Sequence, residues 1–155
     1  MNELTHINKK GESRMVDVSH KPVVVRKAIA RGEIRMEPET LEIVLKGEVP
    51  KGEVFNTARV AGIMAAKKTS EIIPLCHPLP LTAIDLRFYP VPDDGLVVIE
   101  AAVRTAARTG VEMEALSAVA AAALTVYDMA KAVDKGMRID NIRLVEKTKS
   151  DKSEL

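Results

Sequence analysis

The stretch LTAIDLRFYPVPDDGLVVIEAAV, residues 81–103, reads as a β-hairpin. Residues 81–91 and 96–103 are rich in β-branched, aromatic and aliphatic side chains. Between them Pro92-Asp93-Asp94-Gly95 supplies a fixed φ, two carboxylates that accept hydrogen bonds, and a residue free to take positive φ. Toward the C-terminus, Thr109-Gly110-Val111-Glu112 has the spacing of a capping box, in which the Thr and Glu side chains would satisfy each other's orphan backbone donors. A long Ala-rich helix follows to about Asp134, with Gly136 past its end. A last strand, residues 138–145, alternates imperfectly. Toward the N-terminus, the three prolines of Ile72-Ile73-Pro74-Leu75-Cys76-His77-Pro78-Leu79-Pro80 make a stiff loop. Before it, residues 52–69 place Val54, Ala58, Ala61 and Ala65, and Phe55, Gly62 and Ala66, at helical spacing. Pro38 suits a first helical turn, Leu41, Ile43, Val44 and Leu45 follow, and Gly47 can close that helix. Residues 23–36 and the short alternation Val16-Asp17-Val18 read as strand. The order β, α, α, β, β, α, β, with the first two helices as one layer, is an α+β class: a ferredoxin-like antiparallel sheet with helices on one face.

Composition bounds what such a domain can do. The 155 residues are 46% hydrophobic and 29% charged, which suits one globular domain over 1–155. The polar ends, 1–14 and 148–155, lack periodicity and read as loose tails. A net charge of +1 argues against a duplex nucleic-acid binder, and 3% aromatics against a base-stacking surface. Cys76 is the only cysteine, which excludes an intrachain disulfide and multi-cysteine zinc sites. The uncharged run at 115–127 is shorter than the roughly 20 residues of a membrane span. The N-terminus has no apolar signal core, so a cytoplasmic protein is expected.

The run ALSAVAAAALTVY, residues 115–127, is apolar all round its helix, so it should be buried on more than one side. One sheet covers one side only, and a second subunit is expected on another. Glu114 and Asp128 flank this run. At 100° and 1.5 Å per residue they lie only about 40° apart around the axis but about 21 Å apart along it. Two such helices packed antiparallel about a two-fold axis would bring Glu114 of one chain toward Asp128 of the other, giving a shared site.

Asp128 and Lys131, at i and i+3, meet on one helix face. They read either as an exposed ion pair of little energetic consequence or, if desolvated within this apolar helix, as an acid/base couple. Cys76 and His77 ride the proline-braced loop. A packed Cys beside a surface His is the plain alternative to a proton shuttle, and a Cys–His nucleophile is disfavoured because adjacent side chains rarely face one another. His6, His20 and His77 are too dispersed for a metal site. Glu112 is the capping-box partner, which leaves Glu114 free for a ligand. Lys51-Gly52 opens the second helix, where N–H groups favour an anion, although no GxxxxGK[ST] pattern is present. Arg26, Lys51, Lys131 and Lys147 are ordinary solvated cations unless they converge, in which case they would suit a polyphosphate.

Taken together, Leu4-Thr5-His6-Ile7-Asn8, Met15-Val16-Asp17-Val18-Ser19, Lys51-Gly52-Glu53-Val54-Phe55, Ile73-Pro74-Leu75-Cys76-His77-Pro78-Leu79, Thr109-Gly110-Val111-Glu112-Met113-Glu114-Ala115-Leu116 and residues 124–133, LTVYDMAKAV, resemble the cyclic pyranopterin monophosphate synthase family, the accessory protein C of molybdenum-cofactor biosynthesis. The resemblance runs over about 4–149. It implies a ferredoxin-like fold assembled as a hexamer of three dimers with the active site at a dimer interface. The implied reaction converts 3′,8-cyclo-7,8-dihydroguanosine triphosphate, made by a radical S-adenosylmethionine enzyme, into cyclic pyranopterin monophosphate and pyrophosphate. By resemblance, Asp128 is the catalytic acid/base and Lys131 its lysine neighbour. Leu75, Cys76, His77, Met113 and Glu114 match substrate-binding positions, and Lys51, Glu112, Arg26 and Lys147 further functional ones. No resident cofactor is implied, and Mg²⁺ on the triphosphate is left open. Arg104-Thr105-Ala106-Ala107-Arg108 departs from the Lys- and Gly-richer pattern expected of relatives. The rival readings are a ferredoxin-like ligand-binding regulatory module without catalysis and a Cys-dependent hydrolase.

Overall fold

The hairpin forms where the alternation places it. In the computed structural model, which describes residues 5–151, β2 (Leu81–Val91) and β3 (Leu96–Ala107) pair antiparallel from Val91 opposite Leu96 to Leu81 opposite Thr105. Residues 1–4 and 152–155, the outermost parts of the two expected tails, lie outside the described residues. The tip closes through a single 3₁₀ turn, Pro92–Asp94, and Gly95 at φ 57°. The Gly95 carbonyl accepts Met36 N–H at 2.8 Å, and a Cβ on Gly95 would sit 1.9 Å from the Met36 oxygen, so only glycine fits there.

β1 (Val24–Arg35) lies between β3 and β4 (Arg138–Ser150), so the sheet order is β2-β3-β1-β4, antiparallel throughout. The chain runs β1, helices, β2, β3, helix, β4, which is the split β-α-β connectivity of an α+β domain. Leu86, Ala101 and Ala30 stand abreast on β2, β3 and β1 and are all buried, which marks the core face. Helices α2 (Val54–Lys67) and α4 (Glu112–Ala130) cover it. Gly62 of α2 lies on Leu86, and Val119 of α4 lies on Gly32 of β1. The opposite face is open and charged, with Arg31–Glu100 at 2.7 Å and Arg87–Asp85 at 3.0 Å.

Several expected boundaries move. Val16-Asp17-Val18 joins no ladder. The helix expected over 52–69 is α2 followed, after a break at Lys68, by the single turn α3 (Thr69–Ile72). β4 runs to Ser150, so Thr148, Lys149 and Ser150 are not a loose tail but pair with Lys27, Arg26 and Val25. Its imperfect alternation comes from register shifts against β1, beside which Asn141 takes φ 53°. α4 stops at Ala130 rather than near Asp134. It begins at Glu112 with no side-chain cap, so the capping box does not form. Glu112 is the first helical residue rather than the third, and its carboxylate pairs with Lys147 across the domain instead. Asp134, freed from the helix, braces the start of another one. Its Oδ2 accepts Glu37 N–H at 3.0 Å and the Thr40 hydroxyl at 3.4 Å at the start of α1 (Pro38–Lys46).

By length and composition α4 is apolar enough to cross a bilayer, a property the uncharged run alone did not suggest. It packs instead against β1, β3, β4 and α2, with Ala115, Ala118, Val119, Ala122, Ala123 and Val126 fully buried. Its outward side leaves Leu124 61% exposed.

Candidate active site

The expected site residues gather in two clusters, one at each end of α4. At the N-terminal end a cavity of about 330 Å³ is walled by Leu75, Cys76 and His77 on one side and Glu112, Met113 and Glu114 on the other. The loop keeps its shape through Ile73 N–H to Thr69 at 2.8 Å and Cys76 N–H to Ile73 at 3.1 Å, after which Pro78 and Pro80 admit no ladder. A third wall comes from Thr5, His6, Val16, Val18 and Lys21, and Thr109-Gly110 complete the rim. Thr5, His6, Val16 and Val18 fall in two of the segments that carry the family resemblance, but the sequence alone singles out neither those segments nor Lys21 as site residues. Thr109-Gly110 carries the spacing of a cap, which masks its place at the cavity.

His77 Nε2 lies 2.7 Å from the Val16 carbonyl. A carbonyl only accepts, so a proton is assigned to Nε2. Glu114 is 4% exposed, and burial pushes its carboxyl pKa up, helped by the neighbouring charge of Glu112. Burial, with Glu114 nearby, also raises the Cys76 thiol, so the thiolate is scarce near neutrality. That counts against the Cys-dependent hydrolase. Burial acts to raise Glu112 as well, but the hydrogen bond from Lys147 and the charges of Lys147 and Arg26 outweigh it and hold Glu112 below the usual range. Arg26 spends Nε on the Ala107 carbonyl and Nη2 on the Arg108 carbonyl, each at 3.2 Å. It also lines an adjoining cavity of about 680 Å³ with Lys21 and Lys149, two cations the sequence reading did not single out.

At the C-terminal end of α4 the Asp128 carboxylate bridges two ammonium groups, Lys131 at 2.7 Å and Lys51 at 2.7 Å. Both hydrogen bonds pull Asp128 down to about 2, and the carboxylate in turn raises Lys131. The sequence leaves two readings of this pair open, an exposed ion pair and a desolvated acid/base couple. The single chain shows the exposed one: Asp128 and Lys131 point outward and both side chains are 53% exposed. Nor does Lys51 mark an anion site at the start of α2. Glu53 caps that helix, its carboxylate accepting Phe55 and Asn56 N–H, so the position is already filled by an anion. Lys51 turns to Asp128 instead.

Asp128 and Glu114 lie 14 residues apart on one continuous helix, about 21 Å along its axis, so one chain does not bring the two clusters into a single small site. Among the described residues no group of His, Cys, Asp and Glu is arranged to hold a metal ion.

The family model described as the MoaC family matches residues 15–150. Proteins named cyclic pyranopterin monophosphate synthase are similar over nearly the whole chain. The one from Pelotomaculum thermopropionicum is 62% identical over 96% of this chain and 87% of its own length. Those from Thermomicrobium roseum and Chloroflexus aurantiacus are 59% and 58% identical over 95% and 94% of this chain, and 89% and 90% of theirs. A family match over almost all of the folded chain, with relatives this close, leaves one conclusion: the chain belongs to the MoaC family.

Proposed function

We propose that the protein is a cyclic pyranopterin monophosphate synthase, a lyase that converts 3′,8-cyclo-7,8-dihydroguanosine triphosphate into cyclic pyranopterin monophosphate and pyrophosphate, an early step of molybdenum-cofactor biosynthesis. The observation that carries the reading is the Asp128 carboxylate held between two exposed ammonium groups. A triphosphate competes for those lysines. As Lys51 and Lys131 swing to phosphate oxygens, Asp128 loses the partners that hold its pKa near 2 and recovers basicity beside the substrate. Binding of substrate thus arms its own base. Asp128 and Lys131 then move protons while the purine-derived ring opens and the pterin forms. A sugar hydroxyl attacks the innermost phosphorus and pyrophosphate leaves, its charge met by the surrounding cations. At the other cluster His77, Glu112, Glu114 and Met113 orient the guanine-derived end, with Leu75 and Cys76 lining it and Arg26 and Lys147 adding positive charge.

Since one chain separates the clusters, the working unit is a homo-oligomer, a hexamer of three dimers, in which Glu114 of one protomer faces Asp128 of another. The half-exposed outer side of α4 around Leu124 supports a covering subunit there. No resident cofactor is required, and Mg²⁺ enters only on the phosphates of the substrate. A radical S-adenosylmethionine enzyme supplies that substrate in the cytoplasm. Turnover by purified Asp128→Asn and Lys131→Ala tests the assignment. Each should fall by about a hundredfold or more with the oligomer intact, as loss of a proton-transfer group does. Near-normal turnover in both would overturn it. A regulatory module would bind the triphosphate and leave it whole, so release of pyrophosphate discriminates the two.

A further inference from the structure

Val16, Val18 and Lys21 wall the substrate cavity, yet the segment 16–21 that carries them belongs to no helix or ladder. The segment is folded on itself by Lys21 N–H to the Val18 carbonyl at 3.0 Å and by Ser19 N–H to the Asp17 carboxylate at 2.8 Å. Among the described residues, its hydrogen bonds to the sheet-and-helix body come from two side chains, His77 and Arg108. Arg108 Nη1 donates to the Ser19 carbonyl at 2.9 Å and to the Lys21 carbonyl. Its own carbonyl is held from behind by Arg26 Nη2 at 3.2 Å, so the clamp stands on the fixed end of β3. At the far end of the segment the Val16 carbonyl fixes His77.

We propose that Arg108 is a positioning residue for the reaction: its guanidinium clamps the Ser19 and Lys21 carbonyls, and so keeps residues 16–21 closed as a wall of the substrate cavity and keeps the Val16 carbonyl on His77 Nε2. The proposal rests on reading that cavity as the substrate site. A guanidinium suits the task because the two N–H bonds of Nη1 lie in fixed directions in a rigid plane, one for each carbonyl. Arg108 is not among the residues lining the cavity beside Glu114; it lines an adjoining one of about 380 Å³ with His77 and Thr109, and its part in the proposal is to hold the segment.

Hydrogen exchange, histidine NMR and steady-state kinetics on the full-length oligomer test this with Arg108→Gln and Arg108→Lys. In Arg108→Gln, amides of 16–21 should exchange about tenfold faster, and KM should rise about five- to tenfold with kcat within about twofold, as expected for losing charged hydrogen bonds at an exposed site. The ¹⁵N signals of His77 should change from the Nε2–H form to a mixture of tautomers. Arg108→Lys should recover part of each effect, because an ammonium can donate to both carbonyls but lacks the fixed plane that holds them together. Unchanged exchange and unchanged His77 signals in both variants would overturn the clamp, as would a fall in kcat with KM and exchange unaltered. Should Arg108→Gln also lose protection throughout β1 and β3, it is unfolded and the lysine variant alone decides. If wild-type protein gives no turnover, the substrate reading fails, while exchange and NMR still decide whether Arg108 holds the segment.

Discussion

With a lysine on each side, Asp128 is ionised throughout the physiological range and too weak a base to act as it stands. Pyrophosphate should therefore raise its pKa from about 2 toward the ordinary carboxylate value, by drawing off both ammonium groups and bringing negative charge nearby. Carboxyl ¹³C titration with and without pyrophosphate reads the shift, and an unmoved titration would remove the substrate-armed base. Glu114 behaves in the opposite sense. Its folded pKa lies above its unfolded one, so the native state binds the proton more tightly; stability falls as pH rises between the two values and stays reduced above the folded one. Glu114→Gln keeps the shape and removes the charge, so it should melt higher than wild type at pH 7, lose that pH dependence and turn over poorly. Thermal melts at pH 4 and pH 7 check the first part. Sequence pattern could mark both carboxylates as candidates by their place at the ends of an apolar run. It could not say that one is buried and the other held by two cations, because Lys51 and Asp128 are joined by folding and not by spacing.

Helix approach and helix ends set the next scale. α2 crosses α4 at Gly62, where an added Cβ would lie 2.9 Å from the Ala118 carbonyl oxygen and 2.4 Å from a Leu86 methyl. The leucine can shift but the backbone cannot without moving α4, so Gly62→Ala should cost about 1–3 kcal/mol as an overpacked core does. Urea unfolding measures it. Asp134 braces the start of α1 from outside that helix, and the Glu37 N–H holds its carboxyl below the usual range. Asp134→Ala should cost about 1 kcal/mol at pH 7. Because the folded pKa is the lower one, this stabilisation is present above the unfolded value and is lost as pH falls through the folded one, so wild type and variant should converge in strong acid. Local patterns placed α1, the hairpin and the body of α4 correctly because each is encoded by its own period and breakers. They misplaced the start of α4. Thr109 and Glu112 have the spacing of a reciprocal cap, but Lys147 on a distant strand is a charged partner, and Glu112 pairs with it instead.

For the whole molecule, the decisive prediction is complementation between damaged chains. Glu114→Gln and Asp128→Asn proteins, each inactive, should recover about a quarter of wild-type activity when unfolded together and reassembled at equal concentration. Half of the random dimers would then be mixed, with one of two sites intact. No recovery, in a mixture shown by mass spectrometry to contain mixed oligomers, would place both residues in a single-chain site. Light scattering should report six copies. Periodicity, turn chemistry and the absence of charge over 115–127 were enough to determine an α+β domain, its order of elements and the long buried helix, since hydrophobic spacing is a local code. The tertiary structure alone decided which strands are neighbours, where Thr148–Ser150 go, how Arg108 pins residues 16–21, and that Lys51 joins Asp128 while Lys147 joins Glu112. Those contacts link residues far apart in the chain, and their partners are chosen by the shape and charge that packing brings together, which no local pattern records.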